Sequence, residues 1–113
     1  MTELQRLEPD CPEGLPDQPQ RQAACAAAGV FKALGDPTRL QMLLLLSRNQ
    51  GRMCARELEG HFALQQPTIS HHLRVLRQAG LISCERSGLW AYYFIQQDAI
   101  APLRSILEAL AFA

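Results

Sequence analysis

The sequence predicts a mainly helical domain carrying one small β-hairpin, in the order α-α-α-α-β-β-α. Three observations carry this reading. Apolar residues recur at three- and four-residue intervals through most of residues 20–80. The pattern then changes over residues 81–95, where aromatic and β-branched residues gather around an Arg86-Ser87-Gly88 break. Helical spacing returns from residue 98. A chain of 113 residues and 12.6 kDa has room for one such domain and for a modest core.

Residues 1–19 hold four of the seven prolines, at Pro9, Pro12, Pro16 and Pro19, with no apolar period, and read as a flexible acidic arm. Residues 20–113 read as the folded domain. Its first helix covers residues 20–34, with Ala27, Val30, Phe31 and Leu34 on one side, and Gly35 ends it. Asp36 caps a second helix with Pro37 at its first position. Leu40, Leu43, Leu44 and Leu46 are expected to form the buried face of that helix, and Asn49-Gln50-Gly51 to turn the chain.

A short helix over residues 54–62 turns Leu58 and Phe62 inward. Another over residues 65–78 places Ile69, Leu73 and Leu76 at i, i+4 and i+7, and Gly80 stops it. Two strands follow, within residues 81–85 and 89–95, with an extended stretch at Met53-Cys54 expected nearby. The last helix, residues 98–111, carries an Ile100, Leu103, Leu107 and Leu110 stripe, and Pro102 sits near its start. Two short helices, a tight turn and a following hairpin make a winged helix-turn-helix, which lays its second helix in the DNA major groove.

The formal net charge of zero conceals a division. The first twenty residues hold five acids against Arg6, a net −4, while the rest hold ten basic and six acidic residues, a net +4. The folding part is therefore basic, as a nucleic-acid binder needs. No apolar run approaches a bilayer span, and no basic start with an apolar stretch marks a secretion signal, so the cytoplasm is expected and no membrane is implied. There the four cysteines, Cys11, Cys25, Cys54 and Cys84, are expected as free thiols or ligands. No CxxC spacing occurs, which excludes zinc-ribbon and thioredoxin-type readings. An enzyme is not expected: the sequence has no phosphate loop, no paired acid/base carboxylates and no activated nucleophile. Ser70, His71 and His72 are neighbours on one helix, do not face one another and lack an orienting acid.

Three segments resemble the ArsR/SmtB family of bacterial metal-responsive repressors. Phe31-Lys32-Ala33-Leu34-Gly35-Asp36-Pro37-Thr38-Arg39-Leu40 resembles its opening signature. Gln66-Pro67-Thr68-Ile69-Ser70-His71-His72-Leu73, followed by Val75-Leu76-Arg77-Gln78-Ala79-Gly80-Leu81, is similar to its recognition helix, and Gly88-Leu89-Trp90-Ala91-Tyr92-Tyr93 to its wing. The resemblance covers residues 25–110. It implies a homodimer, a palindromic double-stranded operator and an effector that releases the DNA.

On the helical wheel, Gln66, Thr68, Ser70 and His71 leave the core side near the start of the recognition helix, where base edges are contacted; a solvated polar face is the alternative. Arg74 and Arg77 follow at phosphate-contacting positions, and Arg86 near the wing tip reaches phosphate or minor groove; ordinary surface arginines are the alternative for each. His72 shares the core flank and reads as a half-buried packing residue.

The resemblance implies two possible sensor positions. Zinc sensors use Asp, His and Glu on the last helix, but here that helix has no His and only Asp98 and Glu108, which excludes the site. Cadmium, lead and arsenic sensors carry Cys-x-Cys-Asp-Leu at the third helix; here the stretch is Cys54-Ala55-Arg56-Glu57-Leu58, with Arg56 in place of the second thiol. Further sulfur must then come from elsewhere. Cys11, twenty residues before Phe31, is the natural second ligand, since family arms reach across the dimer. Cys25 is either an interface residue or the third ligand, and Cys84, sharing a strand face with Ile82, reads as structural. Sulfur ligation selects soft ions. As(III) stands first, followed by Sb(III), Cd(II), Pb(II) and Hg(II), with no obligatory cofactor. Thiol oxidation or reactive sulfur is the alternative input.

Overall fold

The computed structural model describes residues 12–111. Helix α1 (Gln18–Leu34) leads through Gly35 into α2 (Pro37–Arg48), and strand β1 (Arg52–Cys54) precedes the short α3 (Ala55–Gly60). Helix α4 (Gln66–Gln78), strands β2 (Ile82–Ser87) and β3 (Trp90–Ile95) and helix α5 (Gln97–Ala111) complete the chain. The strands form one antiparallel sheet in the order β1-β3-β2. The stretch at Met53-Cys54 is thus a third strand rather than part of the expected α-α-α-α-β-β-α order. Three residues are too few to show a period, and pairing to β3 is what makes them a strand.

Local chemistry sets the boundaries. Asp36 accepts hydrogen bonds from the backbone N–H groups of Thr38 (2.9 Å) and Arg39 (3.1 Å), satisfying two donors at the start of α2. The Arg39 N–H, with lesser help from the His72 and Arg39 charges and the Thr38 N–H, holds the Asp36 carboxyl below its ordinary value against an opposing desolvation. Helix α4 ends in a Schellman motif: Gly80 N–H donates to the Arg77 carbonyl and Leu81 N–H to that of Leu76, each at 3.0 Å. Gly80 takes φ 78° there, a conformation in which a side chain would be strained. A two-residue turn, Gly88-Leu89, joins β2 to β3, closed by the Ser87–Trp90 pair with Gly88 at φ 62°.

The core sits where α2, α3 and α4 meet the sheet. Met42, Leu46, Leu58, Leu76, Leu81 and Ile82 are almost fully buried, each contributing about 1.5–3 kcal/mol by burial. Ile69 and Leu73 join them, and Phe62 packs against the edge. The expected face of α2 requires correction. Leu43 and Leu46 are buried, but Leu40 and Leu44 are exposed and Met42 takes the core position. A run of consecutive apolar residues gives no period to choose a face by, and packing against α4 and the sheet chooses it. Pro102 is also deeper than expected, sixth in α5, where the Asp98 carbonyl loses an N–H donor. On α5, Leu103 is buried, whereas Leu107 and Leu110 lie exposed, and Leu107 lines a groove with Phe31, Leu34 and Ile100.

Candidate nucleic-acid interface and thiol positions

Helix α4 is seated by Ile69, Leu73 and Leu76, so the opposite side must face solvent. Gln66, Thr68, Ser70, His71, Arg74 and Arg77 are all exposed on it. At about 100° per residue, His71, Arg74 and Gln78 point away from the buried stripe, while Gln66, Ser70 and Arg77 flank them. Gln66 donates from its side-chain amide to Glu59 on α3 at 3.2 Å, and its contact to Ser70 is 3.5 Å. The amide of Gln66 is therefore tethered to the preceding helix.

His72 is more than packing. Its side chain is 13% exposed, and its Nδ1 lies 3.8 Å from the Asp36 carboxylate. Arg39 donates from Nη1 to the same nitrogen at 3.2 Å and from Nε to the Ala33 carbonyl at 2.6 Å. Since a guanidinium can only donate, Nδ1 is the acceptor in that contact. Asp36, Arg39 and His72 thus tie the α1–α2 corner to the recognition helix. The wheel placed His72 on the core flank but held no sign of partners 33 residues away.

In the wing, Arg86 is exposed and pairs in register with Ala91. On the neighbouring strand the Tyr93 hydroxyl is shifted upward. Burial foremost, then the nearby Cys84, raises its pKa, while Arg77 and Arg86 both lower it and Glu59 raises it.

The thiols divide. Cys54 and Cys84 are free. Cys54, 8% exposed, ends β1 and is the N-cap residue of α3, with no side-chain capping bond. It stands opposite Tyr92, whereas Cys84 stands opposite Tyr93. Adjacent residues on a strand point to opposite faces, so Cys54 and Cys84 project from opposite sides of the sheet and cannot share an ion. Cys25 departs from expectation: it is disulfide-bonded and in that form offers no thiolate. It lies half-exposed in the middle of α1. Cys11 lies outside the described residues. Among those described, no three His, Cys, Asp or Glu residues gather as a metal group. On α5, Arg104 pairs with Glu108 at 3.0 Å, which further removes that acid from any zinc site.

Comparison with known proteins assigns the class. A family model for the bacterial regulatory proteins of the arsR family matches residues 36–83, from the α2 cap into β2. An uncharacterised HTH-type transcriptional regulator of Methanocaldococcus jannaschii is 42% identical over 84 residues, covering 74% of this chain and 93% of that protein. An arsenic resistance transcriptional regulator of Pseudomonas putida is 48% identical over 84 residues, 71% of this chain and 65% of that one. The solved structure of an ArsR-like transcriptional regulator from Rhodococcus sp. RHA1 superposes with a TM-score of 0.68 at 26% identity, over 80% and 83% of the two chains. The fold is a winged helix-turn-helix, that of DNA-binding transcription regulators. The chain belongs to the ArsR/SmtB family of repressors, whose members are regulators rather than enzymes.

Proposed function

We propose that the chain is a cytoplasmic homodimeric repressor that holds palindromic operator DNA through α4 and the β2–β3 wing and releases it when a thiophilic ion binds. Gln66, Thr68, Ser70 and His71 meet base edges, and Arg74, Arg77 and Arg86 meet phosphates. In the reduced protein the residues that precede α1 act as an arm that delivers Cys11 to Cys54, across the dimer. Arsenite is the first choice of ion, in keeping with the arsenic resistance regulator among the relatives; antimony(III), cadmium, lead and mercury are the others. No helix among the described residues is long and apolar enough to cross a membrane.

One observation carries the reading. Cys54 is a free thiol at the N-cap of α3, and Glu59 on that helix holds Gln66 of the reader. An ion drawn to Cys54 redirects the start of α3 and, through Glu59, disturbs Gln66 and the set of α4. A coupling of about 1–3 kcal/mol changes DNA affinity about 5- to 150-fold. Cys54 fits such a site only in part, since Arg56 stands where a second thiol would be and the remaining sulfur must come from the arm.

The Cys25 disulfide favours a second reading, in which oxidation is the input. Two thiols then join as peroxide takes their two electrons and protons and leaves as water. One experiment separates the two. The reduced protein selects a duplex from a randomised library, and fluorescence anisotropy of that duplex is followed against arsenite, cadmium, lead, mercury, zinc and peroxide in a non-chelating phosphine reductant, which is omitted for peroxide. Release by arsenite and not by peroxide supports the ion reading, release by peroxide alone replaces it, and failure to select any duplex overturns both.

A further inference from the structure

Gly29 stands in the interior of α1, directly after Ala26-Ala27-Ala28, where glycine costs a helix stability relative to alanine. Nothing in the fold asks for it: the backbone there is helical, and a Cβ placed on Gly29 would meet no atom within 4 Å. What the missing side chain leaves open is a groove of about 540 Å³ between α1 and α4. Val30, Ala33, Val75 and Ala79 line its less exposed part, and Lys32, His71 and Gln78 its exposed margin. Arg39 also lines it, fixed by its bonds to the Ala33 carbonyl and to His72. No acidic residue lines the groove, and the Lys32 side chain has no ion pair among the described residues. Past Ala26, Val30 and Ala79 the groove adjoins a second cavity of about 580 Å³, walled by Pro102, Leu103 and Ile106 of α5. A cationic mouth with an apolar extension is complementary to an amphipathic anion. A soft metal ion, by contrast, meets no thiol there.

We propose that this groove is a second effector site, which takes a small organic carboxylate whose head is held by Lys32 and His71 and whose apolar tail crosses Gly29 toward α5. The bare backbone at Gly29 lets the tail lie close against α1. At about 100° per residue Gly29 points away from Phe31, so the mouth opens away from the α1 side that carries the proposed dimer contact. His71 is also one of the residues proposed to meet base edges, so a ligand held there withdraws it from the operator. That consequence rests on the proposed DNA binding, whereas ligand binding itself does not.

The reduced full-length chain is titrated with octanoate by calorimetry, and the library-selected duplex is followed by anisotropy over the same octanoate range. Octanoate binds saturably, one molecule per chain, and releases the duplex. The uncharged 1-octanol binds about tenfold more weakly, as does octanoate to Lys32→Gln, since each loses a charge-assisted contact. Gly29→Leu fills the groove with no protein atom to displace, so it keeps its melting transition and its DNA affinity but loses octanoate binding and release. No saturable binding by wild type, or wild-type octanoate affinity in Gly29→Leu, overturns the site and leaves the DNA and ion readings standing. Equal affinity for octanol and octanoate overturns the carboxylate assignment. A DNA salt slope reduced by about one in Lys32→Gln, with octanoate affinity unchanged, gives Lys32 to a DNA phosphate and overturns the proposal too. If wild-type protein selects no duplex, the DNA-binding reading falls by itself, and calorimetry decides the site.

Discussion

A thiol at a residue that both ends a strand and caps a helix is well placed to turn ligation into a change of backbone direction, and Cys54 is such a residue. Cys54→Ser is expected to fold and bind DNA as wild type does, since apo repression needs no thiolate, but to keep its DNA when arsenite is added. Cys84→Ser, on the other face of the sheet, is expected to respond normally. Anisotropy of the selected duplex against arsenite reads both, and a normal response in Cys54→Ser would remove it from the site. The reader residues are tested the same way. Ser70→Ala and His71→Ala should lose affinity and change base preference with unchanged melting, while Arg74→Ala should weaken all duplexes alike and reduce the salt slope by about one. Normal binding by His71→Ala would mean that another side of α4 meets the bases. The exposure of these residues was legible from the wheel alone. The links of Gln66 to Glu59 and of His72 to Arg39 were not, because hydrogen bonds between separate elements leave no periodic trace.

The elements were readable in proportion to the local chemistry that starts and stops them. The Asp36-Pro37 start of α2 and the Gly80 stop of α4 are side-chain and backbone effects confined to a few residues, and both occur as the sequence implies. The Asp36 cap has a pH signature. Its folded pKa is depressed, so its stabilisation is fully present above the unfolded carboxylate value of about 4 and is lost as the pH falls through the folded value. Thermal melting of wild type and Asp36→Ala should therefore differ at pH 7 and converge in acid; a gap that persists at the lowest pH would assign the effect to something other than the carboxylate. Leu58→Ala, in the only buried position of α3, should cost about 2–5 kcal/mol in urea unfolding. A smaller loss would mean that α3 is seated by its neighbours rather than by Leu58. Where local signals were weak, the reading erred: the α2 apolar run offered four leucines, and Met42 entered the core while Leu40 and Leu44 stayed outside.

For the molecule as a whole, the unburied apolar surface is informative. Leu107 (54% exposed) and Leu110 (67%) continue the α5 stripe beyond Leu103, and Leu107 lies beside Phe31 and Leu34 of α1. Contiguous apolar surface on a small domain calls for a partner, and the proposed dimer would cover it by pairing through α1 and α5. Light scattering of the full chain at micromolar concentration should give a dimer. Leu107→Glu with Leu110→Glu should give a monomer that melts as one transition and binds the duplex only weakly. A wild-type monomer would contradict the dimer, and a dimeric double variant would move the interface away from α5.

The sequence by itself determined the class of fold, the identity of the recognition helix and the residues on its outer side. Each of these follows from period, caps and turns, which act within a few residues. Only the tertiary structure decided that Met53-Cys54 joins the sheet, that Cys54 and Cys84 face opposite ways, that Met42 displaces two leucines from the core, and that Asp36, Arg39 and His72 meet. Those outcomes depend on strand register and on contacts between residues far apart in the chain, and register shifted by one residue reverses every face.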